Sequence, residues 1–256
     1  FDLSIGSILV FCSFIFLRLF EAQVPLFFIA LITILVGAAL GIINGLITVR
    51  GQIPSFITTL GTMMMWRGLA LLLSGGEQRG CDVSTAPSRY FLPFFTGRIG
   101  GILPAQAFFF IVFAIFLGIL LHYHRFGNWI YATGDNRDAA RAMGINTDLV
   151  KTICFMIVGI LCGFSACMQA VRIGSFAATQ GIGFELRAIA ACAVGGTSLR
   201  GGVGSMPGIV LGALTIPILD NGLILLRVPV FGISAFIGIA TILFVVLNSY
   251  VERRTR

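Results

Sequence analysis

The side chains that could act in acid–base or metal chemistry are sparse in this sequence. Its two histidines, His122 and His124, flank Tyr123 at the end of an apolar run. A nucleophile inside a membrane would need a base beside it at that depth. Two imidazoles alone are too few ligands for a metal site, and at the end of an apolar run they are typical of polar tips held in water. The histidines therefore predict neither catalysis nor metal binding.

The cysteines and glycines do not supply a reactive site either. No two cysteines stand in a C-x-x-C spacing, so neither a zinc site nor a disulfide framework is indicated. A phosphate-binding loop needs glycine before its lysine, but Val150 precedes Lys151, the one lysine of the chain. In "GGVGSMPG", Pro207 replaces the last glycine of a dinucleotide-binding turn. We therefore expect no enzyme activity, no cofactor and no ATP hydrolysis by this chain.

Two charged residues, Arg67 and Asp220, lie within apolar segments. A carrier driven by protons or sodium ions would be expected to keep ionisable groups at membrane depth, so an ion-coupled secondary transporter is an open alternative. Both residues stand toward one end of their segment. This position favours side chains that reach out to water over a buried ion site.

One short segment, residues 131–151, concentrates charge in a chain that is only 11% charged. Within it we predict a helix of about two turns, Asn136–Met143, with Asp135 as its N-cap and Gly144 as its left-handed C-terminal residue. Such a helix is too short to cross a membrane and is unstable alone. Ala139, Ala142 and Met143 form its apolar face. Arg137 and Arg141 form a separate basic face.

A small alanine face between fixed charges is typical of a helix that docks in a groove of another protein. The next helix is predicted to start at Asn146 or Thr147. The short helix would then be connected directly to a membrane span, and movement of one would be passed to the other. The residues alone leave a second interpretation equally open, namely a solvated cytoplasmic loop.

The rest of the chain consists of apolar segments that can position this helix. With 57% apolar residues and a mean hydropathy of +1.01, the chain is predicted to be an all-α polytopic membrane protein. We predict one domain over residues 1–256, a transmembrane helix bundle with about eight crossings. The predicted crossings are Leu3–Phe20, Leu26–Val49, Phe56–Leu73, Ile102–Leu121, Val150–Val171, Phe184–Leu199, Met206–Leu226 and Val230–Tyr250.

Membrane orientation accounts for the net charge of +7. The basic residues are scattered between apolar segments, so nucleic-acid binding is not predicted. Placing the carboxyl-terminal "VERRTR" in the cytoplasm puts slightly more basic residues inside than outside. The same orientation places residues 131–151 in the cytoplasm. The chain opens on "FDLSIGS" and runs straight into an apolar segment, so we expect further spans before it.

Glycines are frequent inside the segments. Small residues four positions apart let helix backbones approach closely in lipid, and we expect these to pack within the chain. They are Gly37, Gly41 and Gly45, then Gly159 and Gly163, then Gly208 and Gly212.

The stretch 195–207 is a glycine-rich hinge between two spans. Non-helical backbone at membrane depth must be buried in protein or line water, so we expect this hinge to lie against a neighbour or a cavity. Its glycines are Gly195, Gly196, Gly201, Gly202 and Gly204.

Four motifs occur in order along the chain. They are "FDLSIGS", the Thr-Leu-Gly-Thr span in "SFITTLGTMMMWRGLALLLSGG", the charged "GDNRDAARAMGIN" and the hinge in "AIAACAVGGTSLRGGVGSMPGIVLGAL". Together they resemble the ribose-type permeases of bacterial ABC importers for monosaccharides. The chain departs from the pattern at Ile5, where the family has valine, at Met206 and Pro207 after the hinge, and in the spans expected before Phe1.

The resemblance implies a homodimer in the lipid bilayer of the bacterial inner membrane. An ATP-binding cassette subunit would lie on its cytoplasmic side and a periplasmic sugar-binding protein on its outer side. The short charged helix would be the cytoplasmic coupling helix, inserted into a cleft of the ATPase. The matching residues are Gly134, Asp135, Asn136, Arg137, Ala139, Ala140, Arg141, Gly144, Ile145 and Asn146.

Hydroxyl and amide side chains along the spans are candidates for the translocation path of such an importer. A permease supplied by a separate binding protein needs only weak solute sites, because tight sites would slow release. The same side chains can instead bond across helices for packing. The candidates are Asn44, Thr58, Thr59, Thr62, Ser198 and Asn221, joined by Asp2, Ser4 and Ser7 of the opening motif.

Overall fold

The computed structural model describes residues 1–82 and 89–229, together with residues 232, 235, 236, 238–240, 242, 243 and 246. Most of this described chain is helical. The helices are α1 (Ile5–Glu21), α2 (Leu26–Arg50), α3 (Ser55–Ser74), α4 (Leu92–Thr96), α5 (Ala105–His122), α6 (Arg125–Asp135), α7 (Arg137–Ala142), α8 (Thr147–Ile173), α9 (Phe184–Val194) and α10 (Met206–Leu225), with a 3-10 turn at Arg89–Phe91. Four short strands are β1 (Arg79–Gly80), β2 (Arg98–Ile99), β3 (Leu103–Pro104) and β4 (Ser175–Phe176).

Five of the described helices, α2, α3, α5, α8 and α10, are long and apolar enough to cross a membrane. The prediction of a helical, multi-pass membrane protein is confirmed, whereas the count of eight crossings is not shown. The stretch Phe184–Leu199 forms only the 11-residue α9 before the backbone turns out of the helix. At about 16 Å, α9 is too short to cross a core of about 30 Å. The crossing predicted at Val230–Tyr250 and the tail "VERRTR" lie outside the continuously described residues.

The first of two compact units comprises Phe1–Val112 and Asp148–Glu185. α1 packs on α2 and α3 and buries Ile8 and Phe16 completely. β1 pairs antiparallel with β4, which ties the segment after α3 to the segment after α8. β2 and β3 form a second antiparallel pair before α5.

Within this unit, α2 and α8 meet along a glycine seam. A Cβ at Gly37 would collide with the carbonyl oxygen of Gly159, and one at Gly41 with the carbonyl oxygen of Phe155. On the α8 side, a Cβ at Gly163 would lie 2.9 Å from the Cα of Ile34. The two backbones therefore touch without side chains between them, which confirms the expected packing within the chain.

The second compact unit comprises Phe113–Thr147 and Leu186–Arg256. Here α9 and α10 make a similar close approach. A Cβ at Gly208 would collide with the carbonyl oxygen of Gly195, and a Cβ at Gly212 would collide with that of Ala191. Small residues on both helices thus allow the backbone contact.

Candidate functional site

The short charged helix α7 has caps that explain its bounds. Asn136 is the N-cap, because its side-chain oxygen accepts the N–H groups of Asp138 and Ala139 at 3.1 and 3.0 Å. The predicted cap, Asp135, is wrong, since this residue ends α6. At the other end, Gly144 has a φ of +84°, which confirms the predicted left-handed residue.

The faces of α7 match the prediction except at Ala140. Ala139, Ala142 and Met143 are exposed, and Met143 has 76% of its surface accessible. Ala140 is only 2% exposed and points inward, so it cannot belong to a contact face for a partner. Among the other residues matched to the coupling segment, Arg137 and Ile145 are half-buried, while Gly134, Asp135, Asn136, Arg141, Gly144 and Asn146 are exposed.

Two arginines tie α7 to the first residue of α8. The Nε–H of Arg141 donates to the hydroxyl of Thr147 at 2.9 Å, and the Nε–H of Arg137 reaches the same oxygen at 3.5 Å. Thr147 is 1% exposed. Thr147 is the first residue of the 27-residue α8. The two arginine contacts therefore join α7 to the start of that helix.

The helix before α7 was not predicted. His124 caps α6 by accepting the N–H of Phe126 on Nδ1 at 3.1 Å, and His122 accepts the N–H of Met206 on Nε2 at 3.1 Å. The histidines are exposed, as expected for interfacial residues, but they also bind backbone. The missed signal is the helical spacing of the buried or half-buried residues Phe126, Ile130 and Thr133.

The glycine-rich hinge lies against the carboxyl end of α6. The hydroxyl of Tyr131 donates to the carbonyl oxygen of Gly204 at 2.7 Å. A Cβ at Gly134 would lie 2.6 Å from the nitrogen of Gly202, so the two segments touch through backbone. Positive φ angles at Gly201 and Gly202, +99° and +74°, make this turn possible. The expectation that the hinge packs against a neighbour is confirmed, and that neighbour is the helix leading into α7.

Part of the predicted translocation set forms a buried polar cluster in the first unit. The Ser4 hydroxyl donates to Asp2 Oδ1 at 2.6 Å and accepts from Asn44 Nδ2 at 2.7 Å. The Ser7 hydroxyl donates to the carbonyl oxygen of Ser4 at 2.7 Å, and Thr59 Oγ1 accepts the N–H of Leu3 at 3.0 Å. These bonds join the start of α1 to α2 and α3.

The cluster is not fully satisfied. Asp2 Oδ2, Asn44 Oδ1 and Thr58 Oγ1 are buried and have no hydrogen-bond partner among the described residues. Burial raises the pKa of Asp2, although hydrogen bonds from Ser4 oppose the rise. Thr62 adds a hydroxyl bond to the carbonyl oxygen of Thr59 at 3.3 Å.

The remaining candidates belong to the second unit. Ser198 lies in the hinge, where its hydroxyl accepts the N–H of Arg200 at 3.3 Å. Asn221 is exposed near the far end of α10, about 22 Å along the helix from Met206. The structure therefore does not bring these two residues together.

The charged residues within the apolar segments differ from expectation. Asp220 pairs with Arg187 of α9 at 3.0 Å, with side chains 13% and 48% exposed. The interpretation of Asp220 as a side chain reaching water is therefore wrong. Arg67 Nη1 is buried without a hydrogen-bond partner among the described residues. The described part of the chain contains no group of three or more His, Cys, Asp or Glu side chains that could hold a metal ion.

Comparison with known proteins identifies the family. The sequence model described as branched-chain amino acid transport system, permease component, matches residues 1–248. The chain belongs to this permease family. It is therefore a multi-pass membrane permease of a bacterial ABC importer, whose ATPase is a separate subunit and whose solute is delivered by a binding protein. The prediction that the chain is not itself an enzyme is confirmed, and family membership favours ATP-driven import over the ion-coupled alternative.

Several curated relatives are autoinducer 2 import system permease proteins. The protein from Photorhabdus luminescens is 35% identical over 251 residues, covering 95% of this chain and 72% of the relative. The protein from Yersinia enterocolitica is 33% identical over 260 residues, covering 100% of this chain and 70% of the relative. The protein from Escherichia coli O9:H4 is 33% identical over 248 residues, covering 96% of this chain and 70% of the relative. No solved structure matches the chain.

Proposed function

We propose that this permease imports a monosaccharide and works as a homodimer whose α7 helices engage the two ATPase subunits. The observation that carries the coupling role is the exposed α7 helix, capped at both ends and bonded through Arg137 and Arg141 to Thr147 at the start of α8. We further propose that residues 1–256 act as one transmembrane domain.

The mechanism is alternating access. Closure of the ATPase subunits displaces α7, and the arginine bonds to Thr147 pass the displacement to α8. A second connection runs through α6, which bonds to the glycine hinge at Gly204, and from the hinge to α10. Both connections lie next to the proposed contact face, so a small push is passed to two spans.

The monosaccharide cargo is supported by the four motifs of the ribose-type permeases and by the abundance of neutral hydroxyl and amide groups in the candidate path. The family description names branched-chain amino acids and the relatives are named for autoinducer 2. Since these cargoes differ, family membership leaves the cargo to be tested.

The test is ATP-driven uptake of D-ribose by cells that express the permease with its ATPase and binding protein. Ala139→Trp should lower uptake at least ~10-fold, because a bulky ring on the exposed face prevents close docking. The amount of permease in the membrane should not change. Gln78→Trp, on an exposed loop residue after α3, is the matched control and should leave uptake unaltered.

Three results would each contradict a separate part of the proposal. Normal uptake by Ala139→Trp would reject the coupling role of α7. Failure of D-ribose, D-xylose and D-galactose alike to be taken up by the unaltered transporter would reject the monosaccharide cargo. Uptake that survives ATP depletion and collapses with an ionophore would point instead to the ion-coupled carrier.

A further inference from the structure

The first unit contains a cavity at the carboxyl end of α8, which neither the coupling helix nor the polar cluster accounts for. It has a volume of about 480 Å³, within the usual range for small-molecule sites. Its lining comes from the first turn of α5, the last turns of α8 and the first residue of α9, and includes Gln106, Ser165, Met168, Gln169, Arg172 and Phe184.

Three of the lining residues form a polar ladder on one face of a membrane helix. Ser165, Gln169 and Arg172 are spaced i, i+4 and i+7 on α8, so they lie above one another over about 10 Å. Within the described part of the chain, none of the three makes a side-chain hydrogen bond or ion pair. Polar side chains in a membrane helix that find no protein partner need water or a ligand.

The position of the ladder along α8 sets its side of the membrane. α8 begins at Thr147, beside the coupling helix, and Arg172 lies in its last turn. Its 27 residues extend about 40 Å, more than a bilayer core of about 30 Å. If α7 meets an ATPase in the cytoplasm, the cavity opens on the outer side, where the binding protein releases solute.

The side chains that line the cavity favour neutral hydroxylated solutes over amino acids. Gln106, Ser165 and Gln169 offer neutral donors and acceptors, and Phe184 offers an aromatic face. Arg172 is the one charged group among the lining residues, so an amino-acid zwitterion would find no carboxylate for its ammonium group. The neighbouring Glu185 is not part of the lining. Its Oε1 accepts the N–H of Gly183 at 3.2 Å, and its buried Oε2, which has no hydrogen-bond partner among the described residues, lies next to Gly6 of α1. Hydroxyl groups, in contrast, can bond to each of these amides.

We propose that this cavity is a low-affinity reception site for a neutral polyhydroxylated solute of monosaccharide size, which binds along the Ser165–Gln169–Arg172 ladder after release from the binding protein. The inference rests on the proposed importer function, but it concerns a site at the opposite end of α8 from the coupling helix. It can therefore fail while the coupling role stands.

The experiment measures protection of an introduced thiol in membrane vesicles that contain the permease as expressed in its host. Ser165→Cys is labelled with a polar maleimide, and the labelling of the unaltered chain is subtracted. The compounds tested are D-ribose, D-galactose and L-leucine, each added alone, without ATP or binding protein. A sugar present at ten times its Kd should slow labelling about elevenfold. Gln78→Cys, an exposed residue outside the cavity, is the control and should not be protected.

A second pair of variants tests the ladder itself. Adding Gln169→Leu to Ser165→Cys should raise the sugar concentration needed for half protection by about fivefold, because a neutral hydrogen bond is lost. Met168→Leu is the control, because it exchanges one apolar side chain of the same lining for another of similar size. It should leave that concentration unchanged. Equal effects of the two variants would reject the ladder as the binding element.

Three outcomes overturn the proposal. Protection by neither sugar at concentrations up to about 100 mM would exclude even a site of millimolar affinity. Protection by L-leucine but not by the sugars would assign the cavity to an amino acid. If Ser165→Cys is not labelled at all while Gln78→Cys is, another part of the assembly closes the cavity, and no solute is received there.

Discussion

The substitution Thr147→Val tests whether α7 and α8 are joined by the shared hydroxyl. It removes the hydroxyl that accepts from Arg137 and Arg141 while keeping the shape of the side chain. The bond from Arg141 is 2.9 Å long, whereas the contact from Arg137 is at the 3.5 Å limit, so the first carries most of the energy. A hydrogen bond from a charged donor stabilises by about 1.5–3 kcal/mol, and the exposure of Arg141 places it at the low end.

A loss of about 1.5 kcal/mol corresponds to a roughly tenfold change in the opening equilibrium of α7. Amide hydrogen exchange reports this opening, because the N–H groups of Ala140 and Met143 bond to Asn136 and Ala139 in the closed helix. We therefore expect these amides to exchange about tenfold faster in Thr147→Val. ATP-driven uptake should fall in the same variant, since α7 no longer moves α8 rigidly.

The control is Thr152→Val, the same isosteric change just over one turn along α8. The hydroxyl of Thr152 donates to the carbonyl oxygen of Asp148 at 2.9 Å within the helix and does not support α7. Exchange of the α7 amides should match that of the unaltered chain. If Thr147→Val changes the α7 amides by less than about twofold, or no more than the control does, the shared hydroxyl is not the joint that we infer.

Three further predictions follow from packing and charge. Gly41→Val should sharply reduce the folded permease recovered from membranes, because its side chain meets the Phe155 carbonyl oxygen, and undiminished yield would contradict the glycine seam. Arg187→Leu should lower the stability in detergent, followed by thermal unfolding, by about 1–3 kcal/mol, because it leaves the more buried Asp220 unpaired. Asp220→Leu should lower it by about 1 kcal/mol or less, since Arg187 is the more exposed partner. Burial, with two nearby carboxylates, raises the pKa of Cys81 to about 12. Its maleimide labelling should therefore rise roughly tenfold per pH unit from pH 8 to 10, and a plateau near pH 9 would be incompatible with that shift.

Local signals allowed α7 to be predicted from the sequence. The bounds of the helix depend on side chains that cap their own backbone and on a glycine that adopts positive φ, and both are written in neighbouring residues. The cap was assigned to Asp135 instead of Asn136 because two adjacent residues had suitable oxygens. The orientation of Ala140 could not be predicted, since it depends on which face meets the rest of the unit.

Contacts between distant residues account for most of what the sequence did not predict. The bond of Ser4 to Asn44 and the pair formed by Arg187 and Asp220 join residues whose proximity is decided by helix packing. Hydropathy also counted Phe184–Leu199 as a crossing, because a sliding average does not distinguish a short apolar helix followed by a glycine turn from a full span. The coupling role and the translocation path remain predictions for the experiments above.

The glycine seam between α2 and α8 restricts where the transporter can flex. In this seam the two backbones touch directly, and close-packed contacts of this kind transmit strain from one helix to the other. We therefore expect α2 and α8 to move together as a rigid body through the transport cycle. We expect the helix movements that open and close the solute passage to occur at other helix pairs, whose interfaces are lined by side chains that can change conformation.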